Sequence, residues 1–155
     1  MKRIALFGGS GRSGQHFMSK ALAAGYAIRA LARNPEKIPQ QGPRLTVVAG
    51  DVLDPEAVRV VVQDTDVVVS LFGHVKGSPA WLQTVGTKHI LQAMQAEGVG
   101  KIISLSGGGL PFEKDRPKLA DKLIRGLMKL AAPKVLNDAV RHAEVLKASD
   151  RDWII

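Results

Sequence analysis

A chain of 155 residues, 45% of them hydrophobic and 23% charged, is long enough to bury one continuous core and reads as one domain over residues 1–155. It has no cysteine, which excludes disulfides, thiolate metal ligands and a cysteine nucleophile. No stretch of about 18 apolar residues is present, so no membrane-spanning helix is expected. The net charge of +8 leaves nucleic acid, an anionic membrane surface or a polyanionic small molecule open as partners.

Residues 4–7 form a short apolar run that stops at Gly8-Gly9. That is shorter than the roughly 7–15 residues of a signal-peptide core, so the run reads as a buried strand and the cytoplasm is the expected compartment. Residues 13–24 follow as a helix, with Phe17, Ala21 and Leu22 on one face and Gly25 closing it. Strands are expected at 27–32 and 45–49. Asn34-Pro35, Pro39 and Gly42-Pro43 mark an irregular connection between them. Asp54 is placed to cap a helix that starts at Pro55 and runs to about residue 63. A β-branched strand over 67–71 comes next, then a helix from about 79 to 97, closed by Gly98.

A fifth strand is expected over 101–106, followed by a loop at Gly107-Gly108-Gly109. A helix around 118–131 and another reaching about 149, separated by Pro133, lead to Asp152-Trp153-Ile154-Ile155, the opening of a sixth strand. Short continuous apolar strands alternating with helices predict a doubly wound α/β fold with a parallel sheet in the order 3-2-1-4-5-6. The sixth strand is cut short, so the expectation is a chain truncated at its C-terminus.

Gly8, Gly11 and Gly14 fall three apart, directly after a strand and before a helix, where a dinucleotide pyrophosphate is bound. Gly8 serves the tight turn, Gly11 lets the backbone approach phosphate, and Gly14 lets the helix pack closely on the strand. At the end of the second strand, where a site for NAD usually carries Asp or Glu, this chain has Arg33. Arg12 lies in the loop itself. Guanidinium groups clamp a 2′-phosphate, so the expected cofactor is NADP (NADPH). Asp51-Val52 would sit beside the adenine, with Asp51 accepting from the exocyclic amine or merely forming a turn. Phe72-Gly73 and residues 104–107 would border the nicotinamide half. There Ser106 is either a hydrogen-bond donor to a substrate carbonyl or a strand-end cap. His74 either reaches the same cleft or is simply an exposed loop residue. The histidines show no metal-ligand spacing.

The densest basic stretch, from Lys114 through Arg116, Lys118, Lys122, Arg125 and Lys129 to Lys134, is interleaved with leucines as an amphipathic helix. It lacks the aromatics or binding motif of a base-reading surface, which argues against nucleic acid as the partner.

The segments KRIALFGGSGRSG, LARNPEKI, VAGDVLDPEAV and DWII together resemble the atypical short-chain dehydrogenase/reductases. The resemblance is to the NAD(P)H-binding group that includes biliverdin-IXβ/flavin reductases and NmrA-like proteins. It implies that Gly8, Gly11, Arg12, Ser13, Gly14, Arg33, Asp51, Val52, Phe72 and Gly73 touch the cofactor and that Ser106 faces the substrate. Two departures from the pattern stand out. The Tyr-x-x-x-Lys pair of many such enzymes is missing, since the only tyrosine is Tyr26 and Leu136 and Val140 fall where the pair belongs. The small substrate lobe that usually follows the Asp-Trp strand is also absent. The expected function is NADPH-dependent reduction of a conjugated small-molecule acceptor such as a flavin, quinone or tetrapyrrole, with hydride transfer and protonation by solvent. The alternative is a non-catalytic NADP-sensing regulator of the NmrA-like type.

Overall fold

A computed structural model of the chain describes residues 2–106, 126 and 132–155. Six parallel strands form one sheet: β1 (Arg3–Phe7), β2 (Ala27–Ala32), β3 (Leu45–Ala49), β4 (Val67–Ser70), β5 (Lys101–Ser104) and β6 (Asp152–Ile154). Their order is β3-β2-β1-β4-β5-β6, as the sequence predicts, and β6 is short. The described helices are α1 (Arg12–Ala23), α2 (Pro55–Val62), α3 (Leu82–Ala96) and α4 (Pro133–Lys147). The expected helix around 118–131, the 107–109 glycine loop and most of the basic stretch lie outside the described residues.

The central strand explains why apolar runs are continuous here. Ile4, Ala5, Leu6 and Phe7 of β1 are all buried, because β1 is flanked by β2 and β4 and covered on both faces. Alternate residues serve the two sides. Leu6 joins Met18 and Ala21 of α1, with Ile28 and Ala30 of β2, on one face. Ala5 and Phe7 join Val58, Val61 and Val62 of α2 and Ile90 and Met94 of α3 on the other. Met18, rather than the expected Phe17, is the fully buried residue of α1; Phe17 and Leu22 flank it and are partly covered. The β2–β3 connection has a 3₁₀ turn at Pro35–Lys37 in place of a helix, and Ile38 fills the gap on the sheet face.

Side chains also close the helix ends. Asp54 accepts from the amides of Glu56 at 3.0 Å and Ala57 at 3.4 Å, capping α2 as expected. The guanidinium of Arg29, on β2, donates to the carbonyls of Val60 and Gln63 at the other end of that helix. Gly25 has φ +89° after α1 and Gly98 has φ +71° after α3, consistent with both closing roles.

Candidate functional site

A cleft with a cavity volume of about 160 Å³ opens at the C-terminal ends of β1, β2 and β4, around the point where the strand order reverses. Phe7, Gly8, Ser10 and Gly11 form its floor, and Leu31, Ala32 and Arg33 come from the end of β2. Gly50, Asp51 and Val52 follow β3, while Leu71, Phe72, Gly73 and Val75 follow β4, and Leu82 opens α3.

The glycines of the loop divide by what their missing Cβ spares. Gly8 has φ +83°, and a Cβ there would lie 2.5 Å from the Phe72 amide nitrogen. At Gly14 a Cβ would fall 2.1 Å from the Gly8 carbonyl oxygen, so α1 can approach β1 this closely only without a side chain. Gly11 is different: its Cβ would meet only the Gly8 oxygen, at 3.4 Å. The protein itself scarcely needs glycine there, and Gly11 lines the cleft. Gly86, which the sequence reading did not single out, lets α3 close on the cleft wall, since a Cβ would sit 2.8 Å from the Phe72 ring and 2.9 Å from Val52.

α1 begins at this loop with Gly11 as its N-cap, no side-chain cap and no acid in its first turn. The first intrahelical bond runs from Gln15 N to Gly11 O at 2.9 Å, so the amides of Arg12, Ser13 and Gly14 precede the ladder. Arg12, exposed in that first turn, adds a cation to the positive end of the helix dipole. An anion is what such an end lacks, and a dinucleotide pyrophosphate would fit it.

Arg33 and Asp51 face each other at the β2–β3 side of the cleft, with Arg33 Nε 4.0 Å from Asp51 Oδ2 and side chains 59% and 38% exposed. A pair this long and solvated holds neither group firmly. Asp51 Oδ1 meanwhile accepts from the Leu53 amide at 2.9 Å, so Asp51 does form the turn and keeps its second oxygen toward the cleft.

A family model described as NAD(P)H-binding matches residues 8–155. The chain belongs to the NAD(P)H-binding family. As members of that family do, it binds a nicotinamide dinucleotide, and the glycine loop fits one as described above. A short-chain dehydrogenase/reductase from Veillonella parvula solved with NADP superposes with a TM-score of 0.77 at 17% identity, over 98% of this chain and 66% of that one. An anaerobillin reductase from Escherichia coli O157:H7 gives the same TM-score at 17% identity, over 99% and 70%. At these identities the likeness establishes the fold. An uncharacterized protein of Mycobacterium bovis is 31% identical over 110 residues, which is 70% of this chain but 12% of that protein.

Against the sequence reading of this NAD(P)H-binding chain, the structure brings Gly8, Gly11, Arg33, Asp51, Val52, Phe72 and Gly73 onto one cleft. Arg12 and Ser13 stand exposed beside it at the start of α1, and Gly14 is buried beneath it. Ser106 lies beyond the end of β5, which stops at Ser104 rather than 106. Its Oγ is buried with no hydrogen-bond partner among the described residues, and Ser106 is not one of the residues that line the cleft. Leu136, at the place of the missing tyrosine, is buried on α4, and Tyr26 precedes β2 at the N-terminal end of the strands, opposite the cleft. No helix among the described residues is long and apolar enough to cross a membrane.

Next to the cleft lies a buried polar seam that local sequence did not reveal. Asp138 of α4, fully buried, accepts from the amides of Gln83 at 2.7 Å and Thr84 at 2.9 Å, from the Thr84 hydroxyl and from His74 Nε2 at 2.6 Å. One turn along, His142 takes Thr87 on Nδ1 at 2.8 Å and Ser104 on Nε2 at 3.0 Å. Burial pushes the Asp138 carboxyl up, but the hydrogen bonds from Thr84, Gln83 and His74 outweigh it and hold the group below the usual carboxylate range. Burial lowers His142 against the opposing field of Asp138, so its ring is neutral. His74 is thus neither exposed nor free, because Asp138, 64 residues away in sequence, holds it.

Proposed function

We propose that this chain is an NADPH-dependent reductase of a conjugated acceptor such as a flavin, a quinone or a tetrapyrrole. The observation that carries the proposal is the Ser106 hydroxyl, buried just past β5 without a partner among the described residues, while buried Leu136 occupies the place of the tyrosine. A buried hydroxyl without a partner is costly, and an acceptor carbonyl relieves it. Hydride addition to a conjugated acceptor gives a delocalised anion that is protonated without a tuned tyrosine, so orientation supplies most of the rate. The anaerobillin reductase among the structural neighbours is in keeping with a tetrapyrrole-like acceptor.

The preference for NADPH rests on Arg33 and Arg12. Arg33 lines the cleft at the end of β2, mostly exposed and only loosely paired, and is available to clamp a 2′-phosphate. Arg12 and Ser13 flank the same phosphates at the start of α1, and Asp51 and Val52 hold the adenine. Phe72 and Gly73 lead to the nicotinamide end.

The test is NADPH oxidation with FMN or a quinone, followed against an enzyme-free control. Turnover clearly above the control is expected. Tight NADPH binding with no turnover of any acceptor would sink the reductase in favour of a redox sensor. NADPH should also raise the melting temperature more than NADH at equal concentration. Equal shifts would remove Arg33 from its assigned role.

A further inference from the structure

His74 sits between two residues that line the cleft, Gly73 and Val75, yet its own side chain is only 10% exposed. Its Nε2 lies 2.6 Å from a carboxylate oxygen of Asp138, a group with no exposure at all. That carboxylate already accepts from two backbone amides and a hydroxyl, so it is held ionised and acts only as an acceptor. Nε2 must therefore carry the hydrogen. Nδ1 then holds the lone pair of the neutral ring and the second proton of the cationic one, and no described residue bonds to it. A mere clasp between the β4 loop and α4 would be served by any short amide donor. A ring with one nitrogen fixed by a buried carboxylate and the other left open is the arrangement of an acid–base group.

We propose that His74 is the proton donor of this site and that Asp138 is the residue that positions it. The proposal rests on the reductase reading above. The acceptor would gain two electrons and a hydrogen as hydride from the dihydronicotinamide, which would be oxidised to the nicotinamidium cation. The His74 Nδ1–H bond breaks, its proton closes the new bond on the acceptor anion, and the neutral imidazole recovers a proton from water. Around the ring, α4 contributes Asp138 and, one turn on, neutral His142. α3 contributes the uncharged Gln83 and Thr84, and the exposed Lys76 lies two residues on in the same loop.

The test uses the whole chain and two readouts. In ¹⁵N-histidine NMR of the wild-type protein, His74 should keep its hydrogen on Nε2, leave Nδ1 as the lone-pair nitrogen of the neutral ring, and shift when NADP⁺ is added. Hydrogen on Nδ1 of the neutral ring, or no response to NADP⁺, overturns the assignment. In kinetics, His74→Gln keeps an N–H for Asp138 but cannot titrate. Its acceptor reduction should fall about 100-fold and lose the alkaline limb of the wild-type pH–rate profile, while NADPH affinity stays within about twofold. Wild-type rate and profile in a folded variant overturn it as well. If the wild type reduces no acceptor, the reductase reading fails, and with it the donor role, whatever the NMR shows. If the wild type does reduce one and His74→Gln matches it, the reductase stands and only the role of His74 falls.

Discussion

Gly11 and Gly14 belong to one motif but answer to different constraints, and substitution separates them. Gly14→Ala puts a methyl 2.1 Å from a backbone oxygen, which neither α1 nor β1 can yield without moving apart. The expected cost is about 3 kcal/mol, or roughly 6–12 °C in melting temperature. Gly11→Ala meets only a 3.4 Å contact at φ −78°, which alanine adopts freely. Its melting temperature should stay within about 2 °C, while NADPH affinity drops because the methyl enters the phosphate space. Thermal melts paired with NADPH titrations check both; undiminished affinity in Gly11→Ala would place the pyrophosphate elsewhere. Arg33→Ala should raise the Kd for NADPH about tenfold or more and leave that for NADH nearly unchanged, as loss of a charge-assisted contact to phosphate requires. At this scale the grouping of the strand-end residues on one cleft was legible, because they lie close to one another in sequence at the ends of adjacent strands. The turn bond from Asp51 was one of two alternatives the sequence left open.

At the scale of elements, α2 and α3 show what local sequence does and does not encode. α2 carries its own start signal, Asp54 followed by Pro55, and begins where expected. Asp54→Ala should lower stability by about 1 kcal/mol, read as a shift in the urea midpoint with an unchanged slope. A change within error would mean that the cap hydrogen bonds do not outlast solvation. α3 starts at Leu82, three residues later than periodicity suggests, with no cap from its own sequence. The acceptor for its Gln83 and Thr84 amides is Asp138, 55 and 54 residues away on α4. That start was illegible because it is specified by tertiary contact. The same carboxylate explains why His74 could not be distinguished from an exposed loop residue. Strands fared better, since burial on both faces of a parallel sheet leaves an unbroken apolar run that composition alone reveals.

For the whole molecule, the α3–α4 seam ties stability to pH through two groups. Both His142 and Asp138 have folded values below their ordinary 6.5 and 3.8, so at each the unfolded chain binds more protons and stability rises with pH. The His142 contribution is complete above 6.5 and is lost as pH falls through its lower folded value. The Asp138 contribution is complete above 3.8 and is lost only under stronger acid, as its hydrogen-bonded carboxylate is protonated. The melting temperature should therefore be level near neutrality, decline below 6.5 and decline again below 3.8. His142→Gln keeps polar atoms for Thr87 and Ser104 but removes the ring that must charge. Calorimetry of that variant should show a lower plateau without the first decline, since a buried neutral imidazole is what couples the seam to mild acid. An undiminished first decline would shift its origin to other histidines and leave His142 a neutral strut between α3, α4 and β5.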